Sequence, residues 1–474
     1  MKSIHLLTLA SLCLSGPILA QNLISESLSN AQSADGSYIS WQEHIIDDPE
    51  LAGFALSGSD GLVMGDIDRD GHEDIVSVHE SDAEYDSAIH TPGFVPPLEG
   101  TVRIAFGSAD QRQWLNITIA EGTDAPAPED AVVVDLNGDD FLDVVVAAEQ
   151  SHLIYLQNPG PNARTATWPR LILPMTQGRG SYIRVFAADF DGDGIAELTA
   201  PNKGAQSPGP EDYARSTPVE LYTLAGDPLS GDSWQRRELG SYSIPQNAEP
   251  VDLDSDGDMD IVVGARGDVR LVYFENLGTG SLEFEEHAIG INGGNMGGFN
   301  LVYTDLSNDG RLDIIGMNNR GQLIWIEQPE HIDNTWNAHT IGSILPDGLV
   351  GMEIADIDND GDTDVMVGSY SRGPRTGDGA VDKSDALGRL AWFENPGEAK
   401  SEWTLHDISR RKRGMFDKFI ARDLDGDGDM DFLSTRGNSA PFDGVFWLEQ
   451  IRSKEPRRNF QAARAQESDE IALP

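Results

Sequence analysis

Cysteine is all but missing from this 474-residue chain, and its one copy, Cys13, lies in an apolar N-terminal run. Disulfides and thiolate metal sites are therefore excluded from the rest. Positive charge is scarce as well: 33 Lys and Arg face 80 Asp and Glu, for a formal charge of -47. Such a molecule is a poor partner for nucleic acid or an anionic membrane surface. Apolar runs long enough to span a bilayer are also lacking, so no membrane insertion is expected.

What is present begins with a leader. Lys2, the apolar run from Leu6 to Leu14 and the small residues from Gly16 to Ala20 predict a signal peptide over 1–20, cut after Ala20. The expected destination is the periplasm or the cell exterior. A polar linker is expected over 21–38, and a polar, unpatterned and disordered tail over 452–474.

Between them one acidic nonapeptide recurs seven times, starting at Asp66, Asp135, Asp189, Asp252, Asp305, Asp356 and Asp423. The spacings of 69, 54, 63, 53, 51 and 67 residues suit one four-stranded propeller blade each. Every copy sits between two short β-rich runs, and a third run follows, such as "LVYFEN" from Leu271 or "LAWFEN" from Leu390. A fourth element pairs an aromatic residue with an aliphatic one five positions on, as in Trp168/Leu173 and Trp336/Ile341. Six copies follow blades one to six, whereas the seventh, Trp41/Ile46, precedes the first loop. The fold expected is all-β: a seven-bladed propeller over 39–451, closed by an N-terminal strand that completes the last blade and removes open sheet edges.

The pattern D-x-D-x-D-G-x-x-D turns alternate carboxylates toward one point, and hard oxygen ligands in that number suit Ca2+. The expected ligands are Asp66, Asp68, Asp70 and Asp74 in blade one, then Asp135, Asn137, Asp139 and Asp143 in blade two. Blade three offers Asp189, Asp191, Asp193 and Glu197, and blade four Asp252, Asp254, Asp256 and Asp260. Blade five offers Asp305, Ser307, Asp309 and Asp313, blade six Asp356, Asp358, Asp360 and Asp364, and blade seven Asp423, Asp425, Asp427 and Asp431. Asn137, Asp140 in the glycine place, and Ser307 predict weaker sites in blades two and five. An EF-hand is excluded because none of the loops has glutamate at position twelve.

These loops, with the "WFENPG" strand from Trp392 to Gly397, resemble the FG-GAP/VCBS repeats of secreted bacterial propellers and integrin heads. The resemblance covers about Trp41 to Gln450 and implies the propeller fold and structural calcium. The family holds adhesion modules, lectin-like domains and enzymes, so it leaves activity open. In architecture the chain is similar to seven-bladed polysaccharide lyases of the ulvan lyase type.

Extra length falls in Ser81 to Gly100, Ala205 to Pro218 and Ser371 to Ala386, all connecting strands two and three on the face opposite the acidic loops. Variable loops on one face are where a site is built. The side chains there predict a basic, aromatic and amide-rich ring suited to an anionic polysaccharide. By residue type His79 or His152 is a candidate base for β-elimination, Tyr182 the acid, and Arg184 or Arg266 the neutraliser of the sugar carboxylate. His90, Lys203, Arg266, Arg320, Tyr370, Arg372 and Arg436 are candidate substrate contacts, together with the run Arg410 to Arg413. A zinc ion on His79, His90 and His152 is a further option, and Glu80 with Glu149 would supply the carboxylate pair of a glycosidase. His44, His287, His339 and His406 recur three positions after the fourth-strand aromatic and are expected to be structural. A non-catalytic carbohydrate-binding or adhesion propeller, acting as a monomer, is the alternative to a lyase.

Overall fold

The computed structural model describes residues 23–278, 280–371, 379–465 and 467–474; the expected signal peptide over 1–20 and Arg372 lie outside them. The second strand of each blade shows why the chain closes into a propeller. Asp143–Ala148 reads DVVVAA and is buried throughout. Such a strand is apolar on both faces because its sheet is sandwiched between the neighbouring blades. Seven antiparallel sheets follow in chain order, each with its four blade strands adjacent. Blade one, for example, runs Ser59–Gly65, Asp74–His79, Thr101–Phe106 and Leu115–Glu121.

Blade seven is completed from the other end of the chain. Tyr38–Asp47 pairs antiparallel with Gly444–Ser453, with Trp41 opposite Gln450 and His44 opposite Trp447. The fourth-strand tryptophans are anchors: the indole N–H of Trp168 donates to Ala163 O at 3.1 Å, that of Trp234 to Pro228 O at 2.9 Å and that of Trp403 to Ala399 O at 2.9 Å. An aromatic in this place fills the gap between blades while satisfying its one polar atom.

The expected loose tail is corrected. Phe460–Gln461 adds a parallel strand beside Tyr38–Asp47, and Phe460 packs into the core cluster that holds Trp41 and Phe432. The last residues return to blade six, where Lys412 N–H donates to Asp469 O and Ile471 N–H to Arg410 O. The linker is bound too, with Ala31 in the same core cluster. Composition misleads here because Glu467 of the polar tail finds the buried Arg411 and Arg436 to pair with, a contact that its polarity alone does not announce.

Two side-chain devices hold the blades together. The last residue of each acidic loop is buried and closes a knot: Asp260 accepts from Leu253 N–H at 3.0 Å in its own loop and from Asn276 N–H at 2.9 Å at the end of strand three. Asp74, Asp313, Asp364 and Asp431 do the same in their blades. The amide that ends strand three then reaches the preceding blade. Asn276 Nδ2 donates to Phe190 O, Asn158 Nδ2 to Ile67 O, Gln328 Nε2 to Leu253 O and Gln450 Nε2 to Ile357 O, at 2.8 to 3.0 Å.

Candidate functional site

The acidic loops connect the first and second strands and occupy one rim. In blade six the glycine place, Gly361, has a φ of 97°, a left-handed conformation that favours glycine; in blade two Asp140 adopts it at 69°. Carboxylate oxygens of Asp66, Asp68 and Asp70 lie within 4.8 Å of one another, as do those of Asp189, Asp191 and Glu197, of Asp252, Asp254 and Asp260, and of Asp356, Asp358 and Asp360. Asp68, Asp252 and Asp356 each keep one buried oxygen without a hydrogen-bond partner among the described residues. Converging carboxylates with buried, unshared oxygens fit a hard divalent cation. Burial and the neighbouring aspartates push Asp260 up to about 7 and Asp364 up to about 8, a penalty that a bound cation would offset.

The loops are not equivalent. Arg164, from blade two, pairs with both Asp68 and Asp70 of blade one. In blade two Asn137 Nδ2 donates to Asp139 Oδ2 at 3.0 Å, and in blade five Arg311 pairs with Asp309. In those places protein donors occupy oxygens that a cation would use.

At the other end of the axis lies a cavity of about 430 Å³. The loops act as a ruler for its walls. Counting six residues back from each first aspartate gives an inner ring, one residue per blade. Its members are Asp60, Glu129 and Asp417, the amide Gln246, and the apolar Ile183, Phe299 and Val350. Counting fourteen residues on gives an outer ring of Glu80, Glu149, Lys203, Arg266, Asn319 and Tyr370, with Gly437 in blade seven. All but that glycine line the cavity. The result is a bipolar pocket, acidic where blades one and two meet it and apolar across the axis, where Phe299, Met317, Leu349 and Met415 stand.

The long second-to-third connections build the mouth. Gln206 Nε2, from blade three, donates to Glu80 Oε1 at 3.2 Å, Ser207 Oγ donates to Ser87 O at 2.7 Å, and Tyr370 OH donates to Asp86 Oδ1 at 2.9 Å. Blades one and three thus meet through loops whose extra length marked this face, and the end of the second strand of blade six joins them through Tyr370.

The charge of the pocket corrects the expected basic ring. Lys203 is buried in an ion pair with Glu149. Arg184 is buried beneath Phe299, pairing with Asp417 at 3.0 Å and donating to Asn300 Oδ1 at 2.7 Å. Arg410 pairs with Asp347 at 2.7 Å, Arg411 with Glu43 at 3.0 Å, and Arg436 with Glu467 at 2.7 Å. Burying a guanidinium requires a partner, and these found theirs in acidic residues distant in the chain. Arg266 and Arg320 remain exposed, and Arg266 lines the cavity.

The histidine and tyrosine candidates do not converge. His79 is 0% exposed, with Ser59 Oγ at 2.7 Å from Nδ1 and Ser77 Oγ at 3.1 Å from Nε2; burial drives its pKa down to about 3. His152 Nε2 lies 2.6 Å from Asp124 O, and burial lowers its pKa too. Tyr182 OH donates to Glu220 Oε2 at 3.1 Å inside blade three. His90 is exposed, with Nδ1 2.9 Å from Ser207 O. A base, an acid and a zinc set made of these residues are therefore not assembled. The repeat histidines stack on third-strand aromatics, as His339 on Trp325 at 4.4 Å, and bond the next glutamate, here Glu327 at 3.0 Å.

What replaces them is a carboxylate group. Oxygens of Asp60, Glu80 and Glu129 lie within 4.8 Å of one another, and all three residues are buried. Burial, then repulsion by Asp60, Glu149 and Glu80, pushes Glu129 well up. Burial likewise drives Glu149 up to about 8, although Lys203 opposes the shift. The inner ring was not read from the sequence because it falls on the irregular start of strand one, where side-chain alternation breaks, as between Pro128 and Asp130.

The FG-GAP-like repeat family matches residues 135–199, 252–316 and 305–367. No curated protein matches the sequence. Among solved structures, BBS1N in complex with ARL6DN, from a mercury-soaked crystal, is 12% identical, with 84% of this chain and 94% of that one covered and a TM-score of 0.43. The NanB sialidase from Streptococcus pneumoniae is 11% identical, with 84% and 69% covered and a TM-score of 0.42. Strand order and closure make this chain a seven-bladed β-propeller, three stretches of which match FG-GAP-like repeats.

Proposed function

We propose that the protein is a secreted propeller that uses calcium-filled loops to fix one rim and captures a carbohydrate in the axial cavity of the other. The observation that carries this reading is the cavity itself, to which all seven blades contribute. Its acidic and amide wall suits the many hydroxyl donors of a sugar, and its apolar wall suits the C–H face. Ca2+ would be held by the loop carboxylates and would supply charge neutralisation that locks each loop. The export reading comes from the leader over 1–20, and among the described residues no helix is long and apolar enough to cross a membrane.

One feature favours catalysis over simple capture. Glu149, whose carboxyl burial pushes up while its ion pair with Lys203 opposes the shift, stands in the same pocket as Glu80. Two carboxyl groups facing one pocket can share the roles of acid and base. In β-elimination from a uronate polymer the base takes the carbon-bound proton next to the sugar carboxylate while the acid protonates the leaving oxygen. Arg266, exposed and in the cavity wall, would be the cation that meets that carboxylate.

The test is incubation with ulvan, alginate, pectin and glycosaminoglycans, following retention on the polymer and ultraviolet absorbance of unsaturated uronate ends. A lyase gives both, and Glu149→Gln should lower the absorbance rate by about 100-fold or more. Retention without absorbance assigns a binding module. No retention of any polymer, by the parent or by Glu149→Gln, contradicts the carbohydrate reading altogether.

A further inference from the structure

We propose that Arg411 and Arg436 form an oxyanion site beside the axial cavity, one that the chain's own C-terminal segment, 467–474, fills and that an anionic polysaccharide takes over by displacing it. The pair stands directly behind the cavity wall. Gly437, next to Arg436, exchanges two backbone hydrogen bonds with Met415, at 2.8 and 2.9 Å, and Met415 lines the cavity. Among the blade strands the two guanidiniums share one buried carboxylate, Glu43, at 3.0 Å from Arg411 and 3.6 Å from Arg436. The adjacent Arg410 has its own partner in Asp347. Two cations on one anion need a second anion if they are to stay buried.

Glu467 is that second anion, and it fits poorly. Its carboxylate lies 2.7 Å from Arg436 Nη2 and 3.7 Å from Arg411 Nη1. Yet both its oxygens, and Nη1 of each arginine, are buried without a hydrogen-bond partner among the described residues. Burial holds its carboxyl above the usual range against the pull of Arg436. A sulfate or carboxylate that meets those open N–H groups in line is the better partner for a guanidinium. The segment can leave without opening a blade. Phe460 anchors the chain upstream in the core, whereas Ile471 and Ala472 are only half-buried and Leu473 and Pro474 are exposed. The contacts that hold 467–474 are polar: Lys412 N–H donates to Asp469 O at 2.8 Å, Ile471 N–H to Arg410 O at 2.9 Å and Arg410 Nη1 to Ala472 O at 3.0 Å. Water or a ligand replaces such bonds at small net cost.

This site goes beyond the cavity reading and does not depend on it, since the measurements report on the C-terminal segment. Binding of dextran sulfate is compared with that of neutral dextran at physiological salt and saturating calcium. Glu467→Gln weakens the internal competitor, so with unchanged circular dichroism it should bind dextran sulfate about tenfold more tightly than the parent, and adding Arg436→Gln should abolish the gain. Equal affinity of parent and Glu467→Gln, or equal binding of neutral dextran, overturns the proposal. A second arm needs no substitution: in hydrogen exchange on the parent chain, saturating dextran sulfate should speed exchange at the Lys412 and Ile471 amides several-fold, and neutral dextran should not. Protection of both amides that persists at saturating dextran sulfate overturns it.

Discussion

His79 illustrates how a residue type misleads when its surroundings are unknown. A histidine next to Glu80, just beyond a second strand, reads as a catalytic base, yet its ring is enclosed and bonded to two serines of its own blade. Its pKa is about 3 in the folded chain against 6.5 when unfolded. The folded value is the lower one, so the unfolded chain takes up the proton first. Stability from this group is complete above about pH 6.5 and declines as the pH falls toward 3. Between about pH 7.5 and 5.5 the parent should lose about 1.4 kcal/mol more than His79→Gln in denaturant titrations at saturating calcium. Equal losses would mean that His79 is accessible. The same scale separates Glu149 from an ordinary surface glutamate: only its partners, Lys203 from blade three and Glu80 from blade one, reveal it. Neither partner is close in sequence, so spacing brought Glu149 and Glu80 into view as a carboxylate pair but was silent on the ion pair with Lys203.

At the scale of the element, the repeat was legible and much of its mechanics was not. Seven loops, seven third strands and a displaced fourth strand sufficed for the blades and the closure by Tyr38–Asp47. The outer ring was in view, because Glu80, Glu149, Lys203, Arg266 and Tyr370 follow strand two at a fixed interval from the loops. The inner ring was hidden by the bulge that starts strand one. The "N" and "Q" that end strand three carry no mark of their role in the sequence, yet in blades two, four, five and seven they stitch the blade to the one before. Asn276→Ala removes donors to Phe190 O and Met259 O in a buried place, and should lower stability by about 1–3 kcal/mol in equilibrium unfolding. Asn276→Asp would leave those carbonyls facing a carboxylate and should cost more. Stability unchanged in both would show that the blades are held by apolar packing alone. The tail is a similar case: Phe460→Ala should cost about 3–5 kcal/mol, whereas a free tail would register nothing.

For the whole molecule, the division of labour between two rims is the governing feature. One rim concentrates carboxylates that repel one another, and the other converges on a cavity shared by all blades. Cations bound only to the folded chain stabilise it by mass action, about 2.7 kcal/mol per site at a hundredfold excess over Kd. Chelation should therefore lower the melting temperature by several degrees, and added calcium should restore it. The strong loops, in blades four and six, should account for more of the loss than those where Arg164, Asn137 or Arg311 already occupies an oxygen. That ranking is checked by comparing Asp254→Asn with Asp309→Asn. The pairing of rims also explains why polarity was misjudged from sequence: the arginines meant for the ligand face are spent holding the ring and its tail together. The most direct test of the account is diffraction from crystals grown in calcium and soaked with an oligosaccharide that the protein retains. The account predicts sugar in the axial cavity, against Phe299, Gln246 and Glu149, with calcium in the loops at the opposite end. Sugar bound at the loop rim or on the outer strands, with the cavity unoccupied, would contradict it.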